Sequence, residues 1–452
     1  MGESIFRRRI YDTMLEWKTK RSGRYALLIE GARRVGKSTV VREFASKEFR
    51  SCLFIDFNRP KEGTIEIFEK CRSDSSALFM HLQALYGVRL YRGKSVVVFD
   101  EVQHYPKARA LIKYLVEEGW YSYIETGSLI SLRKNVEGIQ IPSEEYRIQM
   151  NPMTFEEFLW AQGDTVTMEL LEEAYRTRTP VGRELHEAVM EKFRTYLLVG
   201  GMPQAVAEYI SSGDMNEVEV VKESIIRLYR DDMFKIPRGS GIHALEMFEK
   251  APAMLSRHRK VMSPSVLKEG TETDDYAASI AWLAESKICT KCCDSSDPNP
   301  AMNIALDRSS YKYYLVDTGL LLTLAFDKGN LAKKDVYEAF LKGRLSMNEG
   351  MLFENVVAQM LTGAGMDLHF HEFKVDEDDR HVYEADFLIA MGGKVRPIEV
   401  KSSRSNSHRS LDRFMEKYRR VVTDPVVIHP KDLRVDGGIL YLPVYMTPFL
   451  GS

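Results

Sequence analysis

Gly31-Ala32-Arg33-Arg34-Val35-Gly36-Lys37-Ser38-Thr39 sets two glycines five positions apart, followed at once by a lysine and two hydroxyls. Glycine lets backbone amides turn inward without a Cβ penalty, and a helix starting after Gly36 adds its positive end. Such a loop cradles phosphates. Lys37 would neutralise the β- and γ-phosphates, and the Ser38 hydroxyl would bind Mg²⁺. Residues 31–39 are therefore the expected ATP-binding segment. A second run, Lys94-Ser-Val-Val-Val-Phe99-Asp100-Glu101, is a buried-type strand ending in two acids. Hydrolysis needs one carboxylate for the metal's shell and one to polarise the attacking water; Asp100 suits the first task and Glu101 the second. A third strand, Tyr123-Ile-Glu-Thr126, ends in hydroxyls, and Thr126 or Ser128 can sense the γ-phosphate from there.

Near the C-terminus the chemistry changes. Gly392-Gly393 is a two-residue hairpin turn between strand-like runs. Counting back from Met391 opposite Lys394, Asp386 faces Glu399 and Glu384 faces Lys401. Facing carboxylates have Cβ atoms about 5 Å apart and repel unless a cation lies between them. Glu354, on a preceding helix, would complete an oxygen-rich shell for Mg²⁺ or Mn²⁺. Lys401 would stabilise charge building on an attacked phosphate. Cys289-x-x-Cys292-Cys293 has no second Cys/His pair nearby and reads as a strand rather than a zinc site.

The elements that must position these groups follow from periodicity. Strands at Tyr25 to Glu30, Cys52 to Phe57, Ser95 to Phe99 and Ser122 to Thr126 alternate with helices near 37–48, 74–86 and 106–118. Alternation of this kind implies an α/β fold with a parallel sheet covered on both faces. Residues 1–150 are expected to form that core, and 151–240 a mostly helical lid. Residues 241–325 have the helix, short helix, helix and strand-pair order of a winged helix, with Ser263-Pro264 as one helix start and Thr273 as a cap for the next. Its acids Asp274, Asp275 and Glu285 would repel a phosphate backbone, so this part suits a protein partner as well as a duplex. Residues 326–452 read as a helix near 348–363, strands near 369–375, 383–391 and 394–401, a charged helix at 409–420, and two closing strands.

With 452 residues, 44% hydrophobic and 28% charged, the chain can bury several cores. A net charge of −2 gives no global pull toward nucleic acid or an anionic membrane. Five cysteines are too few and too unevenly placed for a disulfide framework. The start lacks the apolar core of a signal peptide, and no run reaches the ~20 apolar residues of a membrane span. A cytoplasmic protein without membrane contact is the expectation.

Taken together, these stretches resemble prokaryotic AAA-type ATPases whose C-terminal half carries a domain of unknown function. The resemblance rests on Leu28 to Ser38, Val98 to Gln103, Asn151-Pro-Met-Thr-Phe-Glu-Glu-Phe158, Leu198-Val-Gly-Gly-Met-Pro203, Tyr314 to Leu320 and Ile398-Glu-Val-Lys-Ser-Ser403. It implies an ATPase core with ATP and Mg²⁺, a helical lid, a winged helix and a restriction-nuclease-like end domain. Glu354, Asp386, Glu399 and Lys401 resemble the active-site set of PD-(D/E)xK nucleases. The family usually shows a Gly-Arg pair shortly after the strand that here ends at Thr126; in this chain Gly138 precedes Ile139, so Arg133, Arg147 and Arg230 are the candidates to complete the site. Three functions follow. Hydrolysis would gate a nuclease-like domain on DNA or RNA, ATP would switch partner contacts above a silent scaffold, or the chain would be an ATP-dependent DNA-binding regulator. The partners open to such a chain are ATP, DNA or RNA, a protein at the winged helix, and a second copy of itself.

Overall fold

In a computed structural model the described residues are 5–128, 139–236, 240–262, 273–326, 329–331, 333–343, 349–375, 381–402 and 408–451. Arg133 and Ser263-Pro264 lie outside them. The chain forms two compact units: Met1–Asn151 with Glu285–Lys287, and Pro152–Ala284 with Ile288–Ser452. Among the described residues no helix is long and apolar enough to cross a membrane.

The first unit runs α1 (Ile10–Lys20), β1 (Ala26–Glu30), α2 (Lys37–Glu48), β2 (Ser51–Asp56), α3 (Thr64–Cys71), α4 (Ser75–Tyr86), β3 (Ser95–Asp100), α5 (Pro106–Glu118), β4 (Ser122–Gly127) and β5 (Glu145–Gln149). Its sheet has the order β2-β3-β4-β1-β5, and every pairing is parallel. Parallel strands covered by helices are buried on both faces, which is why β3 is apolar without alternation and buried throughout. Leu53, Ile55, Phe68, Val97, Phe99 and Ile112 pack one side of it. The α/β fold expected from the alternation is the fold that forms. Three elements, α1, α3 and β5, are not among those expected from the sequence. α3 follows Gly63, whose φ of 86° only glycine adopts cheaply. β5 is a half-exposed edge strand in which Glu145, Arg147 and Gln149 alternate with Tyr146 and Ile148. Register sets Ile29 beside Thr126, Glu30 beside Gly127 and Phe99 beside Glu125. The C-terminal ends of β1, β3 and β4 are therefore level with one another.

The second unit opens with helices: α6 (Phe155–Ala161), α7 (Thr167–Thr177), α8 (Arg183–Val199), α9 (Pro203–Ser212), α10 (Met215–Phe234), α11 (Ser240–Leu255) and α12 (Thr273–Glu285). There follow β6 (Cys289–Ser295), β7 (Leu306–Leu315), α13 (Thr318–Ala325), α14 (Lys334–Leu341) and α15 (Glu349–Gly363). The chain closes with β8 (His369–Phe373), β9 (Tyr383–Met391), β10 (Lys394–Val400), α16 (Arg409–Lys417), β11 (Val426–His429), β12 (Arg434–Asp436) and β13 (Ile439–Pro443). One sheet, ordered β12-β13-β11-β10-β9-β8-β6-β7, carries all of these strands. The antiparallel pair β6–β7, read from sequence as the wing, joins it through a parallel β6–β8 contact.

Three sequence stretches named above meet at one junction in this unit. Thr154 caps α6 in a capping box with Glu157. Met153 N–H donates to Gly201 O at 2.6 Å, and the Tyr196 hydroxyl donates to Met153 O at 2.8 Å. The fully buried Asp317 carboxylate accepts from Gly201 N at 2.6 Å and from Leu320 N at 2.9 Å, the latter capping α13. Gly319 lies against Gly200 so closely that a Cβ there would come 2.5 Å from the Gly200 Cα. These residues close a backbone junction; their conspicuous sequence is a packing requirement.

Candidate functional site

At the end of β1 the chain turns through a loop whose geometry needs its glycines. A Cβ on Gly31 would lie 2.3 Å from Met150 O, and Gly36 has φ 94°. Arg34 also takes a positive φ, 69°, which a non-glycine residue adopts at a cost. α2 then starts at Lys37, and no side chain caps it at Gly36. Its first-turn amides have no helical acceptors, as an anion at a helix N-terminus requires. Lys37 is buried, and its Nζ donates to Gly31 O and Ala32 O, both at 2.9 Å. Burial pushes the ammonium down to about 8, against the pull of Glu101 and Asp100. Arg8, from before α1, props the loop by donating to Val35 O at 2.8 Å and Asn151 O at 2.6 Å.

The level strand ends bring the remaining groups to this loop. Ser38 Oγ donates to Asp100 Oδ1 at 2.8 Å, and Thr126 Oγ1 donates to the same oxygen. Burial raises the Asp100 carboxyl while those two hydroxyls hold it back. Glu101 sits in the left-handed region at φ 53°, with its N–H donating to Thr126 Oγ1 at 3.2 Å. Its Oε2 accepts from Gln103 Nε2 at 2.5 Å and from Ser128 Oγ at 3.5 Å. The loop before α2, Asp100, Glu101 and the hydroxyls of Ser38, Thr126 and Ser128 thus form one constellation. The Gln103 contact with Glu101 has no signal in the sequence beyond the place of Gln103 in the Val98–Gln103 stretch. Glu125, beside Thr126, is fully buried with both carboxyl oxygens unpartnered, and burial, then Glu145, holds it well above the usual carboxylate range. Of the arginine candidates, Arg147 pairs with Glu145 at 2.8 Å and Arg230 with Glu249 at 3.0 Å.

The second unit brings two of the other predicted residues, Glu354 and Asp386, together with Glu384, while Glu399 and Lys401 pair with each other. The β9–β10 ladder runs from Met391 opposite Lys394 to Phe387 opposite Ile398 about the Gly392-Gly393 turn. At the next position Asp386 Oδ2 accepts the Val400 N–H at 2.7 Å. Ligand oxygens of Glu354, Glu384 and Asp386 all lie within 4.8 Å of one another. Glu399 is buried, with Oε1 on Lys401 Nζ at 2.5 Å and Oε2 without a partner. Burial and then Asp386 push Glu399 up to about 7. Two lysines not foreseen in any role here complete the cluster. Lys312, fully buried on β7, donates to Glu384 Oε1 at 2.5 Å and lies 3.5 Å from Glu354 Oε1. Lys260 pairs with Glu354 Oε2, and the Tyr314 hydroxyl donates to Glu354 Oε1 at 2.5 Å. Burial works to raise Glu354, but Lys312 and Lys260 outweigh it and hold the carboxyl down at about 2. Burial lifts Glu384 to about 8 despite Lys312. Lys260 and Lys312 lie 94 and 42 positions from Glu354. No spacing rule could have joined them.

Comparison with known proteins agrees with the first unit and leaves the second open. Residues 23–159 match the model of an AAA domain, residues 190–331 a domain of unknown function (DUF8612), and residues 349–446 another (DUF4143). No curated protein matches the chain. Solved structures with partial likeness include a Signal Transduction ATPase with Numerous Domains (STAND) protein with a tetratricopeptide repeat sensor from Pyrococcus horikoshii. That match has 10% identity and a TM-score of 0.28, and covers 79% of this chain but 48% of the other, so this chain spans about half its length. Cdc6p from Pyrobaculum aerophilum is similar at 12% identity, TM-score 0.26, over 74% of this chain and 93% of its own. The ORC1 protein of Aeropyrum pernix, solved in complex with DNA, is similar at 14% identity, TM-score 0.26, over 72% and 93%. Likeness at that level does not bear on function. The matched AAA domain and the five-stranded parallel sheet give the N-terminal part of this chain an AAA-type, P-loop ATPase-like fold.

Proposed function

We propose that the protein binds ATP with Mg²⁺ and hydrolyses it, and that the nucleotide state is coupled to a divalent-cation site in the second unit that acts on nucleic acid. The observation that carries the ATPase reading is the direct Ser38–Asp100 hydrogen bond at the mouth of the loop. Residues 31–39 would hold the phosphates, with Lys37 turning from the loop carbonyls to the β/γ-phosphates. Ser38 and Asp100 would hold Mg²⁺, which shields phosphate charge when bound. Glu101, oriented by Gln103 and Ser128, would take the proton from the attacking water, and Thr126 and Ser128 would report the γ-phosphate. The donor set fits the group: hard oxygens for the metal, amides and an ammonium for the phosphates.

For the second unit, what supports the cation reading is the convergence of Glu354, Glu384 and Asp386 oxygens within 4.8 Å, with the Glu399 Oε2 buried and unpartnered. Oxygen ligands from Glu354, Asp386 and Glu399 suit Mg²⁺ or Mn²⁺, and Lys401 would steady charge on an attacked phosphate. A second reading, a nucleotide switch over a silent scaffold, has its own support. Lys260 and Lys312 already neutralise part of the acid cluster.

One set of purified proteins tests both. Lys37→Ala should lose ATP binding, and Glu101→Gln should keep binding and lose turnover. Parent-like hydrolysis by Glu101→Gln would remove that residue from the mechanism. Mn²⁺-dependent cleavage of DNA or RNA, abolished by Asp386→Ala, supports the first reading. Its absence across single- and double-stranded substrates, with ATPase activity intact, leaves the switch.

A further inference from the structure

The acid cluster is not waiting empty for a cation, because two ammonium groups already reach it. We propose that Lys260 is a displaceable internal cation, holding the position on Glu354 that a divalent ion must take, so that ion binding and release of Lys260 are one event. This rests on the reading of Glu354, Asp386 and Glu399 as a divalent-cation site and names what regulates it.

Charge comes first. Glu354, Glu384 and Asp386 converge within 4.8 Å. Ionised, as a bound divalent ion would require of them, these three carboxylates stand against two ammoniums, Lys260 and Lys312. One negative charge is left over. Replacing one ammonium by a divalent ion cancels it, whereas adding a divalent ion beside both lysines overshoots. Like charges in a site this buried repel strongly, so one lysine must leave.

Geometry selects which. Lys312 has no exposed side chain, stands in mid-strand on β7, and has the Phe370 ring centroid 4.8 Å from its ammonium. It has no way out without opening the sheet. Lys401 belongs to Glu399. Lys260 lies on the short segment after α11, and its side chain is 17% exposed. Its backbone need not move. Arg259 beside it holds Glu372 through two hydrogen bonds of 2.7 and 2.6 Å, and Met262 N is fixed to Tyr311 O at 2.8 Å. Rotation about four side-chain bonds carries the ammonium to water, where a lysine head is ordinarily found. The oxygen it would vacate is Glu354 Oε2; Oε1 stays bound by Tyr314 and near Lys312.

The test uses the whole chain and Mn²⁺ alone, without nucleotide. Titration calorimetry follows the binding component that Asp386→Ala removes. Lys260→Gln should tighten that component by about tenfold or more, since a competing unit charge is gone, while Lys260→Arg, which keeps the charge, should not. Because Lys260→Gln leaves Glu354 facing Lys312 alone and could perturb the fold, the unaltered protein provides a second measurement. Amine labelling read by mass spectrometry should show Lys260 becoming reactive as Mn²⁺ is added, with Lys312 protected throughout, and Asp386→Ala should suppress the change. Mn²⁺ binding with unchanged Lys260 labelling and unchanged affinity in Lys260→Gln overturns the displacement and leaves the cation site standing. No Mn²⁺ binding by the parent but binding by Lys260→Gln supports the displacement in its strongest form. No binding by either overturns both.

Discussion

Lys37 is a buried charge that a bound phosphate would relieve. Buried and satisfied only by two carbonyls, its ammonium is pushed down to about 8. Phosphate oxygens would favour the charged form, so ATP should raise that value. The sign follows directly. At pH about 7 the ammonium is already charged, and binding takes up almost no proton. At pH about 8.5 most of the lysine is neutral, so ATP binding should draw in most of one proton, and above that affinity should fall toward tenfold per pH unit. Calorimetry in buffers of different ionisation enthalpy measures the uptake. Lys37→Arg, charged at both pH values, should show none; equal uptake in both proteins would place the proton elsewhere. At this scale the sequence was informative where chemistry is local. Residues 31–39 and the Asp100-Glu101 pair are contiguous, and their backbone geometry is inseparable from residue type. Lys260 and Lys312 were invisible, because a charge pair drawn from distant segments leaves no pattern in either one.

Elements explain what residue chemistry does not. The Gly200-Gly201 pair and the Asp317 stretch look like a site and are a junction, with backbone packed on backbone. A Cβ on Gly201 would lie 2.2 Å from Met153 O and 2.9 Å from Met153 N, neither of which can yield without breaking hydrogen bonds. Gly201→Ala should therefore cost about 1–3 kcal/mol, the usual range for overpacking. Gly393→Ala, whose Cβ meets nothing within 4 Å and whose φ is not positive, should stay within about 0.5 kcal/mol. Denaturant unfolding compares the two, and equal midpoints would refute the junction. Strand patterns made β1, β3 and β4 legible, because buried parallel strands are continuous apolar runs. The same rule hid β5, whose edge position leaves it half polar. The Gly392-Gly393 turn made the β9–β10 register countable, since side chains alternate with period two. What the count could not give was the strand on the far side, β7, which brings Lys312 to the acids through the sheet rather than along the chain.

At the scale of the whole molecule the question is whether nucleotide state reaches the acid–lysine cluster. Two compact units, each with its own sheet, fold as separate cores. Coupling between them is a free energy and has to be measured as one: a ligand in one unit must change the stability or affinity of the other, and reciprocally. Glu101→Gln is the form to use, because it should hold ATP without consuming it. If the ATP-bound state reaches the second unit, ATP on this variant should alter amide hydrogen exchange in α15 and β9, the elements that carry Glu354, Glu384 and Asp386. Lys37→Ala, unable to hold ATP, should show no change under the same conditions. Exchange that responds only in residues of the first unit would mean that nucleotide binding stays local. The second unit would then act on its own ligand, and the displacement of Lys260 by a cation, rather than ATP, would be the event that sets its state.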